Sequence, residues 1–182
     1  NIDSFYKEVE YLKSKGFDVS LIKVSPKTHI VTDKHIEEDK NKYKDKLGTT
    51  GRGIGPCYKD KYSRIGKTAN DYKKELNGFI WDEKLSGKIL CEGAQGFWLD
   101  IDYGNYPFVT SSCTLPYSAC SLGFPPQKIR KIYGAIKIYD TRVGADPDFD
   151  KIPSTNKELK IIAETGNEYG TTTGRLRAVN YL

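Results

Sequence analysis

Four short segments hold most of the residues with chemical potential. The first, residues 48–56, reads GTTGRGIGP. Its closely spaced glycines let backbone N–H groups approach an anion, Thr49 and Thr50 add hydroxyl donors, and Arg52 adds a charged fork. The same residues also read as an ordinary glycine-rich turn. This is not a Walker A loop, because no G-x-x-x-x-G-K-[ST] spacing occurs anywhere in the chain. The second segment, residues 92–110, reads EGAQGFWLDIDYGNYPFVT. It follows a predicted strand end, where α/β sheets place their ligands, and Gln95 offers an amide suited to a base or a phosphate. Phe97, Trp98 and Phe108 read instead as the filling of an Ω-loop. The third segment is DTRVG, residues 140–144, in which Arg142 is either a ligand or the partner of a nearby carboxylate. The fourth is GTTTGRLR, residues 170–177. There Thr171, Thr172, Thr173 and Gly174 form a second cradle, and Arg175 and Arg177 point to one side of an extended chain. Paired arginines suit a dianion or a carboxylate, with a solvated surface strand as the alternative.

The elements that must position these loops follow from periodicity. Ile2, Phe5, Val9 and Leu12 recur at three- and four-residue steps, predicting an amphipathic helix over residues 1–15 that Gly16 ends. Residues 19–24, 29–32 and 88–91 read as short strands, and IYGAIKIY, residues 132–139, as a buried one. A polar, largely solvated helix is expected from about Asp33 to Lys46, short helices within residues 57–66 and 70–78, and a further helix from about Asn156 to Glu164. No linker or repeat divides the chain. The expected fold is therefore α/β, with a mostly parallel central sheet, flanking helices and long functional loops in a single domain over residues 1–182.

Composition narrows the partners. The chain has 182 residues, 37% of them hydrophobic, enough for a sizeable core. A net charge of +5, scattered along the sequence, suits anionic small molecules and lacks the clustering that nucleic-acid binding needs. No apolar run approaches the roughly 20 residues of a membrane helix. Four cysteines without a CxxC pair, together with two histidines, suggest no zinc site, and they fit reduced thiols in a cytoplasmic protein.

Taken in order, GTTGRGIGP, EGAQGFWLDIDYGNYPFVTSS, DTRVGAD and GTTTGRLR resemble the adenylosuccinate synthetase family across nearly the whole chain. The resemblance implies a P-loop-related fold and GTP-dependent ligation of IMP with L-aspartate through a 6-phosphoryl-IMP intermediate. It also implies Mg2+ and GTP as cofactors and a homodimer. It assigns Thr49, Thr50 and Gly51 to the IMP phosphate, with Thr110 as a second contact, and it places Gln95 near IMP and Val143 behind the ribose. Arg64 is implied to cross a dimer interface to the partner's IMP. Thr171, Thr172, Thr173 and Gly174 match the aspartate loop, Arg175 matches the arginine shared by IMP and aspartate, and Arg177 matches the one by the aspartate carboxylate and nucleotide. The family's GDEGKGK-type loop, with its base and metal ligand, and its catalytic histidine are expected upstream of Asn1, and its guanine-recognition motif beyond Leu182. The chain thus reads as an internal piece, truncated at both ends, with no catalytic or metal residue of its own and no turnover alone. The compact interval from Thr50 to Glu92 and the SCTLPYSACSLGFPPQ stretch resemble a short archaeal and phage-like branch. Some phage relatives use dGMP in place of IMP, so that substrate stands as the alternative, as does a non-catalytic purine-nucleotide-binding module.

Overall fold

A computed structural model describes residues 1–149, 156–170 and 174–181. The chain forms two compact units: residues 1–42 with 51–90, and residues 43–50 with 91–182.

The first unit opens with helix α1, Ile2–Ser14, whose N-cap Asn1 accepts a hydrogen bond from the Ser4 N–H at 3.0 Å. Its apolar face delivers Ile2 and Phe5 to a cluster around buried Ile30, Ala69 and Leu76. The ring of Phe5 meets Phe79 edge-on at 5.1 Å. Residues 19–24 are not the expected strand. Asp18 accepts from the Ser20 N–H at 2.9 Å and winds Val19–Leu21 into a single 3-10 turn, leaving Val24 in one isolated bridge with Ile80. Residues 29–32 likewise contribute one bridge, His29 to Thr68, in place of a strand.

The polar segment breaks into α2, Asp33–Lys42, and α3, Lys44–Leu47. Its face is less solvated than its composition implies, because His35 and Asp39, one turn apart, are buried. Thr32 N–H donates to His35 Nδ1 at 3.0 Å, so the ring proton sits on Nε2 and points at Asp60 Oδ2, 3.1 Å away. Asp60 lies on α4, Ile54–Ser63, and Asp39 accepts from the Gly53 N–H at 2.7 Å. Two buried polar side chains thereby tie α2 to α4 and to the entry of the glycine-rich segment. The second expected short helix, within residues 70–78, is reduced to a 3-10 turn, Ala69–Tyr72.

The second unit gathers around Leu159, Ala163 and Val179, with Tyr139 and Ile162 packed on them. Helix α5, Lys157–Thr165, starts at its Asn156 cap, whose side chain accepts from the Glu158 N–H at 2.9 Å. Strands β1, Asp140–Arg142, and β2, Ala178–Asn180, pair antiparallel with Thr141 opposite Val179. They make the one sheet among the described residues, so the expected parallel central sheet is not present there. The reason lies in residues 132–138: with no neighbouring strand to complete a ladder, this apolar run is exposed, Ile136 and Ile138 each to 89%. Residues 88–91 fail as a strand in the same way, and Leu90 is exposed. Phe97 and Trp98, expected to fill core, are exposed and packed edge-on against each other at 5.4 Å.

Candidate functional site

In the second unit, parts of all four segments come together. Arg175 donates through Nη2 to the carbonyl oxygens of Gly48, at 2.8 Å, and Thr49, at 3.3 Å. The first and fourth segments are thus joined by one guanidinium. Gly48 caps α3 at φ +68°, and a β-carbon there would lie 2.8 Å from the Ala145 backbone nitrogen, so the first segment presses directly on the residues after DTRVG. Thr49 is half-buried and Thr50 exposed, which leaves the Thr50 hydroxyl accessible beside the fixed backbone.

The second and third segments are locked by a buried ion pair. Arg142 and Asp146 have side chains only 6% exposed each, and Nη1 lies 3.2 Å from Asp146 Oδ2. Of the two readings of Arg142, the structure supports the carboxylate partner. The same guanidinium donates to the Trp98 carbonyl at 3.4 Å and to the Phe108 carbonyl. Burial pulls its pKa down and the Asp146 charge opposes that. Asn105 then donates to Asp146 Oδ1 at 2.6 Å and to Asp148 Oδ2 at 3.1 Å. Within the second segment, fully buried Asp100 accepts from the backbone N–H groups of Asp102 at 3.0 Å, Tyr103 at 3.2 Å and Thr114 at 2.7 Å. The Thr114 bond is the chief reason its carboxyl titrates below the usual range. Thr110 is held by its own N–H on the Leu99 carbonyl at 2.8 Å, inside this knot, and Val143 is half-buried next to Arg142.

Residues 175–177 of the fourth segment pair back onto residues 168–170. Arg177 N–H donates to the Glu168 carbonyl at 2.8 Å, Gly170 N–H to the Arg175 carbonyl at 2.7 Å, and Tyr169 bridges Leu176. Arg175 and Arg177 therefore share a face, as their spacing predicts. Thr171, Thr172 and Thr173 lie outside the described residues, and exposed Gly174 follows them. Glu168, 3% exposed, accepts from Lys137 Nζ at 2.6 Å and the Tyr139 hydroxyl at 2.7 Å on Oε1, and from Arg177 Nη1 at 2.8 Å on Oε2. Burial pushes its carboxyl up, but the three donors outweigh it and hold the pKa at about 2. The Tyr139 hydroxyl is raised in turn, first by its bond to Glu168.

Two further candidates have unusual backbones. Gln95 and Arg64 both sit at φ +64°, in the left-handed region that non-glycine residues rarely adopt, and both are exposed. Such conformations gather at binding sites. Gly51 and Arg64 belong to the first unit, where Gly51 is buried and Arg64 ends α4. No three His, Cys, Asp or Glu residues among the described ones are grouped to hold a metal ion. No helix among them is long and apolar enough to cross a membrane. Asp100, Asn105, Asp146 and Glu168 are not among the residues that the sequence motifs single out. Asp100 carried a usable signal, since an aspartate two residues before a turn is a ready acceptor for its N–H groups.

The family model described as adenylosuccinate synthetase matches residues 1–86 and 69–182. The adenylosuccinate synthetase of Malacoplasma penetrans is 34% identical over 229 aligned residues, covering 97% of this chain and 54% of the relative. That of Candida dubliniensis is also 34% identical, covering 100% of this chain and 56% of its own. Among solved structures, the fully ligated adenylosuccinate synthetase of Plasmodium falciparum superposes with a TM-score of 0.86 at 30% identity, covering the whole of this chain and 55% of that one. The fold is therefore the P-loop-related fold of these enzymes, and the chain spans about half the length of the curated relatives it matches. The Malacoplasma alignment is longer than this chain, so the relative carries residues that the chain lacks.

Proposed function

Because the chain belongs to the adenylosuccinate synthetase family, we propose that the protein carrying it joins IMP and L-aspartate into adenylosuccinate at the expense of GTP, in cytoplasmic purine biosynthesis leading to AMP. The observation that carries this reading is the guanidinium of Arg175, which ties the threonine loop at Gly48 and Thr49 to the fourth segment. Phosphoryl transfer from GTP to the 6-oxygen of IMP turns that oxygen into a leaving group, and the aspartate amine then displaces it as phosphate. The residues of this chain bind and orient. Thr49, Thr50 and the Gly51 backbone receive the IMP phosphate with Thr110 as a second contact, Gln95 lies by the nucleotide, and Val143 backs the ribose. Gly174 and the threonines Thr171, Thr172 and Thr173 receive aspartate, Arg175 serves IMP and aspartate, and Arg177 serves the aspartate carboxylate and GTP. Catalytic base, acid and histidine are assigned to none of these residues. Magnesium does not fit any group of ligands among the described residues, so no step is assigned to it here. Arg64, exposed at the end of α4, is assigned to the partner's IMP in a homodimer.

The test is phosphate release by the whole gene product supplied with GTP, magnesium and aspartate plus either IMP or dGMP. Release that requires both IMP and aspartate is expected. Release that requires dGMP would keep the ligase and change the purine. No nucleotide-dependent release, with tight nucleotide binding retained, would make the protein a binding module and overturn the proposal.

A further inference from the structure

Glu168 stands out because it is a buried carboxylate that the reaction itself does not call for. It lies three residues after the end of α5, its N–H donating to the Ala163 carbonyl at 2.9 Å and its own carbonyl accepting from the Arg177 N–H at 2.8 Å, so its backbone is fixed at both ends. Its two oxygens are shared unequally. Oε1 takes Lys137 and Tyr139, both from the residues leading into β1, while Oε2 is left to Arg177. Arg177 therefore has one arm of its fork anchored, and its side chain remains 26% exposed. Among the described residues, its other guanidinium N–H groups have no acceptor. The charges are matched to the same end. Glu168 alone would neutralise Arg177, but Lys137 brings a second positive charge, so the cluster keeps a net +1 for an incoming anion.

We infer that Glu168 is a positioning residue that aims the free arm of Arg177 at the carboxylate of the amino-acid substrate, with Lys137 preserving the positive charge that attracts it. This rests on the ligase reading of the site. A flexible arginine pays side-chain entropy each time it closes on a ligand, and a pre-anchored fork avoids most of that cost. Tyr139 serves the cluster differently: its neutral hydroxyl steadies Oε1 without altering the charge.

The experiment measures kcat and KM separately for aspartate, IMP and GTP in the whole gene product. Glu168→Gln keeps the side chain's size but removes the charge that grips Arg177. It is expected to raise KM for aspartate about tenfold, the loss of one charge-assisted hydrogen bond, with KM for IMP within about twofold. Glu168→Asp, shorter by one methylene, should fall between Gln and wild type. Lys137→Met should also raise KM for aspartate. Arg177→Ala is the control for the underlying reading. If it leaves KM for aspartate unchanged, Arg177 is not at the substrate and the ligase assignment of this segment fails. If Arg177→Ala raises it but Glu168→Gln does not, the positioning role alone is overturned. Loss of folding in both Glu168 variants would make the residue purely structural, which also overturns it.

Discussion

Replacing Gly48 by alanine tests how tightly the candidate site is built, and Gly16 supplies the control. Both glycines have left-handed backbones, φ +68° at Gly48 and +82° at Gly16. Holding alanine in that region costs about 1–2 kcal/mol at either position. Their surroundings differ completely. A β-carbon on Gly16 meets nothing within 4 Å, whereas on Gly48 it would lie 2.8 Å from the Ala145 nitrogen and 3.3 Å from the Gly144 α-carbon. Those are backbone atoms, so no side chain can swing aside, and overpacking of this kind adds about 1–3 kcal/mol. Gly16→Ala should therefore cost about 1–2 kcal/mol and Gly48→Ala about 2–5 kcal/mol. Urea unfolding of the whole gene product, followed by circular dichroism at constant m-value, reads both. If the two units melt separately, each variant should move the transition of its own unit. The shift at Gly48 should also disturb the Arg175 bonds to Gly48 and Thr49, so nucleotide binding should weaken with it. Equal destabilisation by the two variants, within about 0.5 kcal/mol, would refute the close approach of Gly48 to residues 144–145.

Three further outcomes follow from other contacts. Asp146→Ala leaves the buried Arg142 guanidinium uncompensated and should cost about 3–5 kcal/mol in urea unfolding, whereas the double change R142M/D146L should cost much less. The Glu168 carboxyl, lowered from near 4.5 to about 2, stabilises the fold fully above its unfolded pKa, and that stabilisation is lost as pH falls through the folded value. Stability should therefore drop between about pH 5 and 2 by on the order of 1–3 kcal/mol, a value discounted for partly exposed Lys137, and Glu168→Gln should flatten that slope. Arg64→Ala subunits mixed with subunits inactivated at the proposed aspartate site (Arg177→Ala) should regain some phosphate release. No recovery at any ratio would count against Arg64 crossing between subunits.

What the sequence disclosed, and what it withheld, separates along physical lines. Helices α1 and α5 were legible because apolar residues at helical spacing and a capping asparagine act within one element. The helix end at Gly16 and the irregular, glycine-rich chain around Gly48 and Gly53 were likewise announced by residue type, and all three glycines have left-handed backbones. The paired arginines were legible as a pair, since a spacing of two fixes their common face, but their partners were not. Gly48 and Glu168 are brought to them by the fold, and nothing local marks a carboxylate as the one that will be buried. The strand predicted over residues 132–139 failed for a related reason. Its apolar run met the local requirement for a buried strand, yet a strand also needs a neighbour, which local pattern does not encode. His35 and Asp39 show the converse: a helix polar in composition buries two polar side chains because partners on α4 and at Gly53 satisfy them.

The bond from Arg175 to Gly48 spans 127 positions of sequence. At ~5–20 residues per second, a ribosome releases the threonine loop roughly 6–25 s before it has made the arginine that will hold it. Helices α1, α2 and α4 need no such wait, since their partners lie within the first unit. The order of synthesis thus leaves the threonine loop among the last parts to take its final shape, and a chain stalled before residue 175 would carry a complete first unit and an unfinished candidate site.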